Sequence, residues 1–451
     1  MLAFTFPGQG SQRPGMGASW VAHESFELVA HASEVVGIDV AHLLLEADQP
    51  TLTETANAQL ATFVASLVVL DAAERLGLEP AFCAGHSLGE YTALVATGAL
   101  SYEDGLRLVQ ERGAAMQDAA EHRSGTMLAV LGLSDDDVEA ACLRAEGEVW
   151  VANFNAPGQV VIAGEPDSLE RAARLCRSLG AKRVMSFPVG GAFHTPFMAP
   201  ARDRLRKALA EVTFHAPEPL VVANVDGRAH AAPEEWPGLL SAQLCGPVRW
   251  RQGLKTLYEA GARTFVELGP GGVLSGLAKR TLPGEPEPGE TPLTSVSVAT
   301  PDELEQLVER LAGIAREQER RSAPGAGADR FAITERLIVS PGTGPFAAAP
   351  AFAHAAPKIQ AASHRVSVRS LSDAASEADP EPSRVRVGDL VGRAGEHEIR
   401  SPFAGALQGL LVLEGERVVT GQPVAWLRVL DEPSSPRAVV PSGPGVEEAV
   451  S

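Results

Sequence analysis

Over the first 320 or so residues, short apolar runs alternate with longer stretches in which apolar positions recur every three or four residues. Leu2–Phe6 reads as a strand, Ser19–Val36 and Asn57–Leu76 as helices, and Ala81–His86 as a second strand. Helices then fit Leu88–Thr97 and Tyr102–Ala120. Strands alternating with helices in this way predict an α/β fold on a mostly parallel sheet. Between Gly125 and Gly191 the rhythm changes. Strands fit Met127–Leu131, Val149–Asn153, Val160–Ala163 and Arg183–Phe187, with helices at Ser134–Ala145 and Asp167–Ser178. That β-α-β-β-α-β order predicts a small ferredoxin-like subdomain over 127–191, inserted between two parts of the core, 1–126 and 192–320. The core resumes through Asn224 and the run Thr264–Leu268, and closes with a helix near Pro301–Glu319.

After Arg320 the pattern fades. Residues 321–384 are rich in Ala, Pro, Ser and Gly, and most of them read as a flexible linker. Leu337-Ile338-Val339-Ser340-Pro341-Gly342 is an exception, and is echoed at Ile399-Arg400-Ser401-Pro402-Phe403-Ala404-Gly405. A second echo pairs Val387-Gly388-Asp389-Leu390-Val391 with Glu414-Gly415-Glu416-Arg417-Val418. Two similar strand-turn halves predict a small all-β module over 385–430, with a first strand at 337–347 and a disordered tail at 431–451.

Composition narrows the function. The 451 residues carry 38 Lys and Arg against 57 Asp and Glu, a net charge of −19. That balance argues against nucleic-acid binding, which needs a broad basic surface to displace counterions. The four cysteines, Cys83, Cys142, Cys176 and Cys245, have neither framework nor metal-ligand spacing and read as reduced thiols. The N-terminus has no basic region ahead of its short apolar run, so no leader is expected there. The most apolar later stretch, Ala58–Leu70, is interrupted by Gln59, Thr62 and Ser66 and is too short to span a bilayer. A cytoplasmic protein with no membrane partner is expected.

Gly85-His86-Ser87-Leu88-Gly89 follows a buried strand and opens a helix. A Ser in G-x-S-x-G at such a junction is a candidate nucleophile elbow, in which a sharp turn exposes the hydroxyl. The helix N-terminus behind it offers free N–H groups to an oxyanion. On pattern alone the same residues serve equally well as a structural turn. A base is then required. His194 lies in the Gly-rich turn Gly190-Gly191-Ala192-Phe193-His194-Thr195-Pro196 after an apolar strand, where α/β folds place catalytic groups. A capping or core role fits it as well. His86 is a rival whose side chain should point away from the hydroxyl.

These residues fall in blocks that resemble the malonyl-CoA:acyl-carrier-protein transacylases, whose motifs the acyltransferase domains of polyketide synthases share. The blocks are Phe6-Pro7-Gly8-Gln9-Gly10-Ser11-Gln12, Gly85-His86-Ser87-Leu88-Gly89-Glu90-Tyr91, and Arg112-Gly113 with Met116-Gln117. Asn153-Phe154-Asn155-Ala156-Pro157-Gly158-Gln159-Val160-Val161-Ile162-Ala163-Gly164 and Gly191-Ala192-Phe193-His194-Thr195-Pro196 continue the series. Gln243-Leu244 with Pro247-Val248 and Glu267-Leu268-Gly269-Pro270-Gly271 complete it, in the family's order, over roughly residues 1–315.

The resemblance implies a hydrolase-like core with a nucleophile elbow, and it implies roles. Ser87 would take the malonyl group as an ester, His194 would act as base and then acid, and the Gln243 carbonyl would orient the imidazole. Backbone N–H groups of Gln9 and Leu88 would form the oxyanion hole. Arg112 in isolation reads as a residue on a solvated helix face, but in the family it grips the free carboxylate of malonate. A planar guanidinium fork suits that carboxylate and leaves a neutral acetyl group unmatched. Malonyl-CoA and acyl carrier protein are the implied partners, with no cofactor and no metal. The rivals are a discrete polyketide acyltransferase, a serine hydrolase, and a carrier or scaffold whose function lies in the β module. For carrier docking, Lys182-Arg183 and Lys279-Arg280 are candidate basic patches, although paired bases also occur as plain solvated surface.

The module over 337–430 resembles a biotinyl/lipoyl-type barrel. Its acceptor position falls near Ala394, on a hairpin expected over Val391–His397, and no Lys follows Lys358. That excludes swinging-arm chemistry.

Overall fold

Five parallel strands carry the site, ordered Thr294–Val298, Thr264–Leu268, Leu2–Phe6, Phe82–Gly85 and Leu220–Val222, with the antiparallel edge strand Ala229–His230 beyond them. Alternate residues on each strand serve opposite faces. Phe4, Phe6, Cys83, Val221, Val266 and Leu268 point into the larger core cluster. Ala3, Ala84, Val222 and Phe265 point into a second cluster, with Trp250, Leu254 and Leu277. Helices therefore cover both faces, and the strands read as nearly continuous apolar runs.

A computed structural model provides this geometry; it describes residues 1–187, 189–283, 292–321, 334–350, 352, 384–386, 388–401, 405–412, 415, 417–420 and 422–429. The chain divides into two units, Met1–Ser322 and Ala323–Ser451. In the first unit the helix Thr55–Arg75 is buried on nearly every side. It matches the helix expected over Asn57–Leu76 and is longer than the apolar stretch Ala58–Leu70, which by itself is too short to span a bilayer. Its 21 residues have the length and composition to cross a membrane, but 83% of the most apolar window is buried in the unit's own core. The single helix expected over Ser19–Val36 is instead two 3₁₀ turns, Ala18–Trp20 and Glu24–Phe26, followed by the α-helix Glu27–Val36. The break has a local cause: the extended residue His23 turns its side chain to cap the Ser25 N–H at 3.1 Å.

Within the first unit, residues 126–186 form an antiparallel sheet in the order Val149–Ala156, Gln159–Gly164, Thr126–Leu131, Arg183–Ser186. This is the ferredoxin-like order. One face, with Val130, Val160 and Ile162, packs on the helices Asp135–Arg144 and Pro166–Ser178. Met127, Val161 and Ala163 on the other face join the larger core. A parallel bridge between Asn153 and Val248, with the Phe154 N–H 2.9 Å from the Val248 oxygen, ties the small sheet to the core.

The second unit contains two four-stranded sheets. One orders Thr334–Val339, Pro423–Val429, Gly405–Leu410 and Arg384–Val385; the other orders His397–Arg400, Leu390–Ala394, Gly344–Ala348 and Arg417–Val418. Residues 337–347 are thus not one strand but parts of two, separated by a turn after Ser340. The repeated halves keep their equivalence. Ser340 and Ser401 are both buried, and Gly388 and Gly415 both adopt left-handed backbone, at φ 88° and 83°. The hairpin Leu390–Ala394 to His397–Arg400 turns at Gly395-Glu396. Most of the stretch read as linker, 321–384, and the whole tail 431–451 lie outside the described residues.

Candidate active site

Ser87 sits where the strand Phe82–Gly85 gives way to the helix Gly89–Ala96, and its φ is +53°. A non-glycine residue holds that conformation only when its surroundings over-determine it. The two flanking glycines are such constraints. A Cβ on Gly85 would lie 1.8 Å from the Gly89 carbonyl carbon, and one on Gly89 would lie 2.1 Å from the Phe6 oxygen. Asn224 braces the turn from outside: its Oδ1 accepts from the Ser87 N–H at 2.7 Å and its Nδ2 donates to the Gly85 oxygen at 2.7 Å.

His194 reaches Ser87 from 107 residues away, with Nε2 2.8 Å from Oγ. Its Nδ1 is 2.8 Å from the Gln243 carbonyl oxygen. A carbonyl can only accept, so Nδ1 carries the proton and Nε2 is left as the acceptor facing the hydroxyl. His194 also has left-handed backbone, at φ +60°. Burial, and next the Arg112 charge, hold its imidazole down to about 3, so it is neutral at physiological pH. The rival His86 turns away: its Nε2 meets Asn155 Oδ1 at 2.9 Å and its ring stands edge-on to Trp250.

Arg112 is buried, not solvated. Its helix, Tyr102–His122, packs closely on Thr55–Arg75, and a Cβ on the next residue, Gly113, would lie 2.9 Å from the Ala56 Cα. Nη1 donates to Gln59 Oε1 at 2.6 Å, and Nη2 donates to Ser87 Oγ and to Gln243 Oε1, both at 2.9 Å. Nε is buried without a hydrogen-bond partner among the described residues. Amides and a hydroxyl therefore orient the guanidinium, while no carboxylate among the described residues pairs with it directly.

Gln243 organises the rest. Its carbonyl meets His194, its Oε1 meets Arg112, and its Nε2 donates to the Ser87 oxygen at 2.8 Å and to Glu90 Oε2. Glu90 Oε1 accepts from the Asn224 N–H at 2.9 Å. Burial pushes this carboxyl up to about 7, although its two N–H donors and the Arg112 charge pull it down. The N–H groups of Gln9 and Leu88 have no acceptor among the described residues. Gln9, Ser87 and His194 open onto a cavity of about 220 Å³, walled by Met116, Met127, Val161 and Phe193 and edged by Asn153 and Asn155.

Ser87, His194, Arg112 and Gln243 thus converge, with Gln9 at the cavity and Leu88 beside the serine. Gln59, Glu90, Asn224 and the Gln243 side chain were not singled out as site residues by the sequence. One signal was present: Gln59 is one of three polar residues interrupting the apolar run of its helix, and all three are fully buried.

A hydrogen-bonded Ser–His pair on an elbow at the wall of a cavity, with a guanidinium aimed at the hydroxyl, defines a serine-nucleophile acyltransferase site. Residues 3–319 match the acyl transferase domain family, and the chain belongs to it. Among its relatives, the malonyl CoA-acyl carrier protein transacylase of Escherichia coli K12 is 41% identical over 284 residues, covering 62% of this chain and 92% of that protein. The polyketide biosynthesis malonyl CoA-acyl carrier protein transacylase BaeC of Bacillus velezensis is 38% identical over 289 residues, covering 62% of this chain and 96% of that one. A solved malonyl-transacylase, in complex with a type II polyketide synthase acyl-carrier protein, superposes with a TM-score of 0.65 at 36% identity, covering 68% of this chain and 99% of that one.

Proposed function

We propose that this protein transfers malonyl from malonyl-CoA to the phosphopantetheine thiol of an acyl carrier protein, through an ester on Ser87. The observation that carries this reading is the bracketing of Ser87 Oγ by His194 Nε2 at 2.8 Å and by Arg112 Nη2 at 2.9 Å. His194 takes the hydroxyl proton as Oγ attacks the thioester carbonyl, and returns it to the departing CoA sulfur. The N–H groups of Gln9 and Leu88 receive the oxyanion, where one such donor is typically worth about 3 kcal/mol. The same steps run in reverse order on the carrier thiol complete a ping-pong cycle.

Arg112 selects the acyl group. A buried guanidinium with no carboxylate in direct contact favours a ligand that brings one, and a neutral acyl chain leaves its donors without such a partner. Selection and activation are linked, because the Arg112 charge depresses His194. A malonyl carboxylate that neutralises this charge raises the base toward the range in which it can accept a proton. Fatty acid and polyketide assembly both use this step, and we assign the protein to fatty acid synthesis. In the second unit, two four-stranded sheets and the Gly395-Glu396 hairpin support a biotinyl/lipoyl-like domain, with Ala394 close to the position where a carrier needs lysine.

The test is intact-mass analysis after brief exposure to malonyl-, methylmalonyl- and acetyl-CoA. A malonyl adduct in clear excess over an acetyl adduct is expected. Equal loading of the two would remove Arg112 from selection.

A further inference from the structure

Glu90 is a carboxyl with no place in the transfer chemistry just derived, yet it is one of the most deeply buried groups at the site, at 1% exposure. Its main-chain N–H donates to the Ser87 oxygen at 3.2 Å, but its carboxyl is hydrogen-bonded to neither Ser87 nor His194. It reaches both through Gln243, whose Nε2 donates to Glu90 Oε2 and whose Oε1 accepts from Arg112 at 2.9 Å. These partners fix the amide's orientation. A flipped Gln243 would set its oxygen against the Glu90 carboxylate and its NH₂ against the guanidinium, both repulsive. Glu90 thereby holds the residue that orients Arg112 and, through the main-chain carbonyl, His194.

Charge makes the second half of the argument. Arg112 has no carboxylate in direct contact among the described residues, so the nearest buried anion able to balance it is Glu90, one amide away. The other groups facing this region do not change the count. His194 and His86 are both held neutral by burial, and Tyr91 is pushed up by burial and stays protonated. Asp226 also acts on Glu90, opposing its ionisation, and is itself hydrogen-bonded to His230 at 3.1 Å. One cation and one anion therefore face each other across Gln243 in the empty site. A malonyl group brings a second carboxylate to the same guanidinium, and two buried carboxylates cannot both stay ionised around one cation without a large penalty.

We propose that Glu90 is a charge-compensating positioning residue, which locks the Gln243 amide and takes up one proton from solvent when a malonyl carboxylate docks on Arg112. The site then holds one net-neutral pair before and after loading: Arg112 with Glu90 when empty, Arg112 with malonyl when acylated. This rests on the reading of Arg112 as the malonate-binding residue. The step balances as Ser–OH plus malonyl-S-CoA plus Glu90–COO⁻ plus H⁺ giving the seryl malonyl ester, CoA-SH and Glu90–COOH. Acetyl loading follows the same equation without the Glu90 terms, and so takes up no proton.

The experiment is a proton count on the full-length protein at pH 7.5. A pH indicator in weak buffer reads proton uptake, and intact mass reads the ester formed from stoichiometric malonyl-CoA or acetyl-CoA. Wild type should take up roughly half to one proton per malonyl ester and none per acetyl ester. The acetyl arm corrects for ionisation of the released CoA thiol, and the comparison needs no variant. Glu90→Gln should abolish the malonyl-specific uptake. It should also remove the decline of kcat/KM for malonyl-CoA above about pH 7 that wild type is expected to show. Malonyl ester formed without proton uptake overturns the proposal and leaves the malonyl reading standing. Uptake that persists in Glu90→Gln moves the proton to His194 and overturns the assignment. If malonyl and acetyl esters form equally, or no malonyl ester forms, the reading of Arg112 fails and the proposal falls with it.

Discussion

The two units of the chain bury different things. In the first, Arg112, Glu90, Gln59, His194, Asn224 and Gln243 are all buried, most of them in one connected network behind Ser87. In the second, Ser340 and Ser401 are the only buried polar residues among the described ones, and the core is aliphatic with two phenylalanines. Charge inside a protein is costly unless it is paired and hydrogen-bonded, and a fold that needs only stability does better with apolar packing. The first unit accepts that cost chiefly behind Ser87, at the C-terminal end of its parallel sheet, where α/β folds bind ligands; Glu267, buried against the Ser275 N–H, stands outside that network. The contrast locates the chemistry before any motif is consulted.

The largest effect should come from the nucleophile. Ser87→Ala removes the acceptor oxygen while leaving Gln9, Leu88 and Arg112 in place, so the malonyl adduct should vanish. Transfer should fall by at least about 10⁴-fold. Mass analysis with malonyl-CoA measures it, and a malonyl adduct that survives in this variant would remove Ser87 from the mechanism.

Arg112→Ala comes next. Malonyl transfer should drop by roughly 10²–10³-fold, the usual cost of losing a buried charged hydrogen-bonding partner, while acetyl transfer rises relative to wild type. The variant leaves Gln59 and Gln243 short of a donor, so some stability is lost as well. The ratio of the two acyl rates is therefore the readout. If both rates fell by the same factor, the guanidinium would be a structural strut of the network.

How far these residues could be read in advance follows from how local their signals are. The elbow was legible because three short-range features coincide: an apolar strand, glycines at both flanks, and a helix start. The parallel sheet and the small βαββαβ subdomain were legible for the same reason, since strand and helix periods differ. His194 could be picked from its Gly-rich turn but not joined to Ser87, because the 107-residue separation is closed only by the fold. Arg112 had the pattern of a surface helix, and only the resemblance to a family reversed that reading. Glu90 was unreadable as a site residue. An acid in the first turn of a helix is what the helix dipole favours anyway, and nothing local says that its side chain points inward. The Ser19–Val36 segment failed differently: its apolar spacing is helical throughout, and the interruption at His23 is a capping contact that periodicity cannot register.

The buried pair also sets how the first unit responds to pH. Burial holds His194 down to about 3 from an ordinary 6.5, and pushes Glu90 up to about 7 from 4.5. Between pH 4.5 and 6.5 the unfolded chain gains the His194 proton that the folded state refuses, and lacks the Glu90 proton that the folded state keeps. The two cancel, and their contribution to stability is level. Below 4.5 the unfolded state holds both protons and the folded state only one, so stability falls with acid. From 6.5 to 7 and slightly above, the folded state holds the extra proton, so stability declines as pH rises. Urea midpoints across pH should show this plateau with a shoulder on each side. Glu90→Gln should flatten the alkaline shoulder and turn the plateau into a decline with acid from pH 6.5 down, because the His194 proton is then uncompensated. An alkaline shoulder unchanged in that variant would assign it to another group.

The smallest effect is expected from removing the second unit altogether. The acyl transferase match ends at residue 319, and the helix Pro301–Arg321 places Leu304 and Leu307 in the larger core. A chain ending at Arg321 therefore keeps the last element that the first core uses. Every residue hydrogen-bonded around Ser87 lies before residue 250. The second unit has its own core, built from Ile338, Phe346, Val391, Ile399, Val418 and Leu427. The truncated protein should fold and should transfer malonyl to free acyl carrier protein within a few-fold of the full-length rate. A larger loss is expected only where the carrier is held on an assembly that the second unit docks to, because tethering raises the local concentration of a partner without changing the site. Side-by-side rates of the two proteins with free carrier decide the point. If a truncated protein of normal helix content lost its activity, the second unit would be shaping the site, and the contrast between a polar catalytic core and an apolar companion would no longer separate the roles of the two.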